Sequence, residues 1–123
     1  VVDRSKWTPG MEMVADFTVA LGRRLLDRDI NIRVVNTTNG FGACFGPGGV
    51  LDFNLMRLGH RFFDEAGLVE VLDLLIHEFG HGDGHHHLDE RYHQRLTKYG
   101  AECTRLAIRE PDLFLPWHRT KRV

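Results

Sequence analysis

The chain has 123 residues, a length that fits one domain with a real but modest core. Lysine and arginine number 16 against 17 aspartates and glutamates, so the formal net charge is −1, which speaks against a strong nucleic-acid footprint. No run of 18 apolar residues and no signal-peptide pattern occurs, so no membrane partner is expected; Cys44 and Cys103 are too few for a disulfide scaffold and point to a reducing, cytoplasmic setting.

There is no starting Met, and residues 1–123 are read as a single domain excised from a longer protein, with neighbouring domains in that parent. Residues 1–10 form a lead-in. Thr8-Pro9-Gly10 is a helix start signal, with Thr8 as cap and Pro9 in the first turn. Val14, Phe17, Thr18, Leu21 and Leu25 then recur at helical spacing and predict an amphipathic helix over Met11 to Asp27. Ile30 to Val35 alternates and is β-branched, which predicts a strand. Turn chemistry over Asn36 to Gly42 leads to a short strand at Ala43-Cys44-Phe45. Gly46-Pro47-Gly48-Gly49 is a tight turn, and Val50-Leu51-Asp52-Phe53-Asn54 a third strand. The glycine-rich turn lacks the GK[ST] ending of a phosphate loop. Placed at the edge of the sheet, Val50, Leu51, Asp52, Phe53 and Asn54 could pair with an extended peptide through the main chain; an ordinary edge strand is the equal alternative.

Leu55 to Phe63 is a short helix or an irregular connection, and Asp64 to Gly67 opens the next helix with acids at its positive end. That helix, from Leu68, is strongly apolar and carries His77-Glu78-Phe79-Gly80-His81, an HExxH motif. Residues four apart share a helix face, so the two imidazoles can converge on one ion. Glu78 is rotated roughly 100° from His77, beside the metal rather than on it, where it can handle a proton from water. Two glycines, Gly82 and Gly84, should end the helix and let the chain double back. The full pattern HExxHxxGxxH then offers His87 as third ligand to zinc, leaving a fourth position open, as catalytic zinc sites do. Glu102 and His93, both admissible zinc ligands on the following helix, are the alternatives for that third place. Asp73, one turn before His77, is a candidate to orient its ring; His86, Tyr92 and His93 are candidate oxyanion donors. Leu88, Tyr92, Leu96, Tyr99, Cys103, Leu106 and Ala107 predict a second long helix that packs under the site, stopped at Pro111. Leu113 to Trp117 reads as an apolar tail docked on the core, and His118 to Val123 as a basic end, solvated or the start of a linker.

The motif residues His77, Glu78, His81, Gly84 and His87 resemble the metzincin pattern of zincin metallopeptidases, in which three histidines bind zinc and the glutamate is the general base. The chain has no Met after Met56, and so no Met-turn. The order of helix, small sheet, motif helix and backing helix is also similar to minimal zincins of the SprT and WLM kind, where an aromatic follows the third histidine on a helix, as Tyr92 follows His87. Peptidases of the ImmA/IrrE type are similar in order and use a downstream glutamate, which would map to Glu102. The likeness covers roughly residues 66–107. It implies a zincin-like α+β fold and hydrolysis of peptide bonds in a protein or peptide substrate by zinc-activated water, with Glu78 as general base. The expectations from other classes are a non-catalytic zinc-binding regulatory or interaction domain, a structural zinc module with four protein ligands, and a hydrolase acting on another amide or ester.

Overall fold

The computed structural model describes residues 1–81 and 90–123. Thr8 caps the first helix as its place before proline predicts. Its Oγ1 accepts the Met11 N–H at 3.2 Å, and α1 runs Pro9–Leu26 with Pro9 in the first turn. Asp27 ends it in the left-handed conformation, at φ 53°, which the short polar side chain tolerates better than most. Met11, Val14, Phe17 and Leu21 are the buried stripe of this helix.

Three strands follow: β1 (Asn31–Val35), β2 (Ala43–Gly46) and β3 (Val50–Asn54). The sheet is mixed, in the order β1-β3-β2, with β1 parallel and β2 antiparallel to β3. Ile32, Leu51 and Phe45 share one register row, and Val34, Phe53 and Ala43 another; these rows face the helices. The row between them, Arg33, Asp52 and Cys44, lies on the other face of the sheet. There Arg33 grips Asp52 through Nε and Nη2, at 2.7 and 2.8 Å, and that hydrogen-bonded carboxylate pushes the guanidinium pKa up.

Asn54 is wholly buried at the end of β3, and its side chain organises the β1–β2 connection. Its Oδ1 accepts the Thr37 N–H, and its Nδ2 donates to the carbonyls of Thr37, Asn39 and Phe41 at 2.9–3.1 Å. A side chain with these partners can be buried without orphaned polar atoms.

Two short helices, α2 (Leu55–Leu58) and α3 (His60–Asp64), turn at Gly59. Phe62 and Phe63 stand edge-on to each other and pack on Phe53 of the central strand. The acids before the motif helix do not all belong to it: Asp64 ends α3 and takes a hydrogen bond from Thr8 Oγ1 at 2.7 Å. The motif helix, α4 (Leu68–His81), buries Val71, Leu75 and Phe79 against α1 and the sheet. α5 (Glu90–Arg109) runs unbroken through Gly100 and buries Tyr92, Tyr99, Cys103 and Leu106. Pro111 opens a single turn that leads into α6 (Leu115–Arg119). Trp117 is fully buried there, edge-on to Phe17 at 5.3 Å, as the apolar tail predicts.

The basic end is exposed over residues 118–121 and at Val123, as its composition predicts, and only Arg122 is docked. Arg122 donates to the carbonyls of Ala66 and Phe63, both at 2.8 Å, and its own carbonyl accepts the Leu68 N–H. The guanidinium thus fastens the chain end to the start of α4. Among the described residues the protein is α+β, with six α-helices and a three-stranded mixed sheet, and no helix is long and apolar enough to cross a membrane.

Candidate metal centre

Four-residue spacing on α4 brings the two motif histidines together. His77 Nε2 and His81 Nε2 lie 3.2 Å apart, with their ring planes 84° from parallel. A tetrahedral zinc ion about 2.0–2.1 Å from each of two nitrogens would hold them about 3.3–3.4 Å apart, so the pair fits the ion. Glu78 Oε1 is 3.9 Å from His77 Nε2. Among the described residues, His77, Glu78 and His81 form the one group of three whose ligand atoms all fall within 4.8 Å of one another.

Glu78 is buried, a costly place for a carboxylate. Burial lifts its pKa to about 7, against the pull of the His81 charge and of a hydrogen bond from the Phe45 N–H. That N–H comes from β2, the strand beside α4. Asn54 donates to the Gly42 carbonyl at 2.8 Å, which continues the β2–β3 pairing by one residue. Antiparallel pairs alternate, so Cys44 and Gly46 turn their main chain toward β3, whereas Ala43 and Phe45 turn theirs outward. One of those outward groups, the Phe45 N–H, is the one that meets Glu78.

This corrects the expected substrate strand. Val50, Leu51, Asp52, Phe53 and Asn54 form the central strand, paired on both sides, so their main chain has no free edge to offer a peptide. Spacing along a sequence sets which residues alternate, but not which strand lies in the middle. Among the described residues the edge without a strand partner next to the motif helix belongs to β2, whose Phe45 ring stands edge-on to Phe79 at 6.0 Å.

Tyr92 enters from α5. Its hydroxyl lies 2.9 Å from His77 Nδ1, and its ring leans on that of His81 at 5.3 Å. Burial first, and then the charges of Glu78 and Asp73, push its pKa up. Asp73 is exposed, so the group placed to orient His77 is this hydroxyl. Tyr92 reaches the site because α5 crosses α4 at Gly80: a Cβ there would meet Leu96 Cδ2 at 2.9 Å and Tyr92 Cε2 at 3.0 Å. Arg95, one turn on, donates to the Gly80 carbonyl at 3.1 Å and ties the end of α4 to α5.

His93 is exposed and packs its ring against Tyr92, outside the group of converging atoms. Glu102 stands ten residues beyond Tyr92, about 15 Å along the helix. It is engaged by Arg105 at 2.8 Å. Neither alternative third ligand joins the site. His86 and His87 lie outside the described residues. Phe45, Gly80 and Arg95 escaped the sequence reading; only Gly80 carried a signal, as a glycine inside an apolar helix where close approach is the usual reason. No protein-family model, no curated protein and no solved structure matches this chain.

Proposed function

We propose that the chain is a zinc-dependent metallopeptidase of the zincin type. The observation that carries this reading is the pair of imidazole nitrogens 3.2 Å apart with a buried carboxylate beside them. His77 and His81 would hold the ion, joined by His87 from its place in HExxHxxGxxH. When bound, zinc lowers the pKa of water and polarises a carbonyl.

The protein's own groups divide the remaining work. Glu78 accepts the proton of the attacking water and passes it to the leaving amine. A carboxylate displaced toward neutral pKa by burial is suited to both halves of that transfer, and the Phe45 N–H holds it in place. Tyr92 keeps the His77 ring turned toward its partner. The outward N–H and C=O of Ala43 and the C=O of Phe45 would offer an extended peptide a strand to pair with, on the strand whose Phe45 N–H meets Glu78.

The test is metal analysis of the purified chain together with hydrolysis of an unstructured protein substrate in the presence of zinc. One equivalent of zinc and cleavage are expected, with Glu78→Gln keeping the metal and losing cleavage. A zinc-loaded parent that cleaves nothing, or a Glu78→Gln variant that cleaves as fast as the parent, would overturn the reading.

A further inference from the structure

The stripe of α4 that carries the histidines does not end with them. Glu70, Leu74, His77 and His81 follow one another at helical spacing along a single line. Glu70 stands seven residues before His77, about 10 Å back along the axis. β2 runs the same way beside it. Phe45 lies against Glu78, and Gly42, just before the strand and about 10 Å back from Phe45, lines an open pocket together with Glu70. The pocket is about 610 Å³; Leu58, Phe62 and Ala66 supply its apolar wall, and its rim carries Arg57, Arg61, Glu65 and Glu70.

The rim charges are not equivalent. Arg61 is paired with Glu65 at 2.9 Å. Glu70 stands in the first turn of α4, where the helix dipole compensates a negative charge. Arg57, exposed on α2, meets no hydrogen-bond or ion-pair partner among the described residues. It borders the strand track itself: a Cβ on Gly42 would lie 3.2 Å from Leu58 Cδ2 and 3.9 Å from Arg57 Cγ. A peptide paired with the free edge of β2 would pass this guanidinium about three residues from the bond above Glu78.

We infer that the pocket between Gly42, Arg57 and Glu70 is a specificity subsite for an extended peptide substrate, with Arg57 selecting a carboxylate side chain about three residues from the scissile bond. The inference rests on the peptidase reading for the place of that bond. It follows from two tracks of equal length, one on the helix and one on the strand, that join the histidines to a cation with no ion-pair partner among the described residues.

The experiment uses binding, so that it does not depend on turnover. Fluorescent peptides carrying a single Glu, moved one position at a time along an otherwise uncharged sequence, are titrated into the Glu78→Gln chain with zinc, and each is compared with its Gln counterpart. Glu at one position is expected to tighten binding about three- to fivefold, the worth of a partly exposed ion pair. The gain should vanish in the double variant that adds Arg57→Gln, and Arg57→Glu should move the preference to Lys at the same position. Equal affinities for Glu and Gln peptides at every position, or a preference that survives Arg57→Gln, would overturn the subsite. Hydrolysis of the same peptides by the parent is scored separately. Arg57-dependent binding without cleavage defeats the peptidase reading alone, and cleavage with no dependence on Arg57 defeats the subsite alone.

Discussion

The two sides of α4 are built to different rules. Toward α1 and the sheet the helix presents Val71, Leu75 and Phe79, all fully buried. That core continues through Phe17 to Phe114 and Trp117 in edge-on ring contacts at 5.7 and 5.3 Å. Its groups gain by leaving water. Toward α5 and the outer edge of β2 the same helix places two imidazoles tip to tip and buries a carboxylate held by one main-chain N–H. A cost of that kind is expected where chemistry rather than stability sets the residue. Stability should therefore reside on one side of α4 and activity on the other, and substitutions on each side should separate the two.

The largest separation is expected at Glu78. Glu78→Gln keeps the shape of the side chain and removes the proton acceptor, so hydrolysis should fall by about 10²–10⁴-fold while zinc content is unchanged. Trp117→Ala is the counterpart on the other side. Loss of a fully buried indole should cost about 3–5 kcal/mol of folding stability, measured by urea unfolding. Zinc affinity of the molecules that remain folded should not change. A weakened metal site in this variant would show that the two sides of the helix are coupled.

A pH series sharpens the comparison. Burial raises the pKa of Glu78 to about 7 in the metal-free fold, from 4.5. Below 4.5 the carboxyl is protonated in both folded and unfolded chains, and the folded state pays nothing. As pH rises toward 7 the unfolded chain releases its proton while the folded one retains it, so the folded state loses ground, by about 2–3 kcal/mol at neutral pH. Metal-free protein should thus lose stability between pH 5 and 7 relative to Glu78→Gln, in unfolding curves taken at each pH. Zinc beside the carboxylate favours its charged form and should remove the difference. A parent and variant that run parallel across this range would mean that Glu78 is not held in a low-dielectric site.

Much of this division is legible in the chain. The period of 3.6 in α1 and α4, the Thr8 cap and the i,i+4 histidines are local features, fixed by bonds and contacts within a few residues. They appear in the structure nearly where the spacing puts them. What was not legible depends on pairing between distant segments. No local signal places Val50–Asn54 in the middle of the sheet, because its alternation would read the same at an edge. Asn54 reads as the last residue of a strand, and nothing local shows that it is buried as the organiser of a loop up to 17 positions away. The Phe45 N–H at Glu78 is a main-chain group, to which side-chain identity gives no clue. Arg122 belongs to a basic run typical of solvated ends, and only the fold reveals the carbonyls of Ala66 and Phe63 that it meets.

The smallest expected effect bears on the contact that joins the metal side to α5. Tyr92 Oη and His77 Nδ1 are 2.9 Å apart, and an imidazole can offer Nε2 to a cation only when its proton sits on Nδ1. In that tautomer His77 donates to the hydroxyl oxygen, so Tyr92 holds both the ring and its proton in the state that binds metal. Tyr92→Phe retains the ring that packs on His81 and at Gly80, and removes the acceptor alone. Zinc affinity should fall about tenfold, the usual worth of such an outer partner, and urea stability by no more than about 1 kcal/mol. Gly80→Ala should lower both: the new methyl would stand 2.9 Å from Leu96 Cδ2 and 3.0 Å from Tyr92 Cε2, so the α4–α5 packing must shift and move the hydroxyl with it. If Tyr92→Phe bound zinc as the parent does while Gly80→Ala did not, then the packing of the ring, and not its hydroxyl, would be what prepares His77 for the ion.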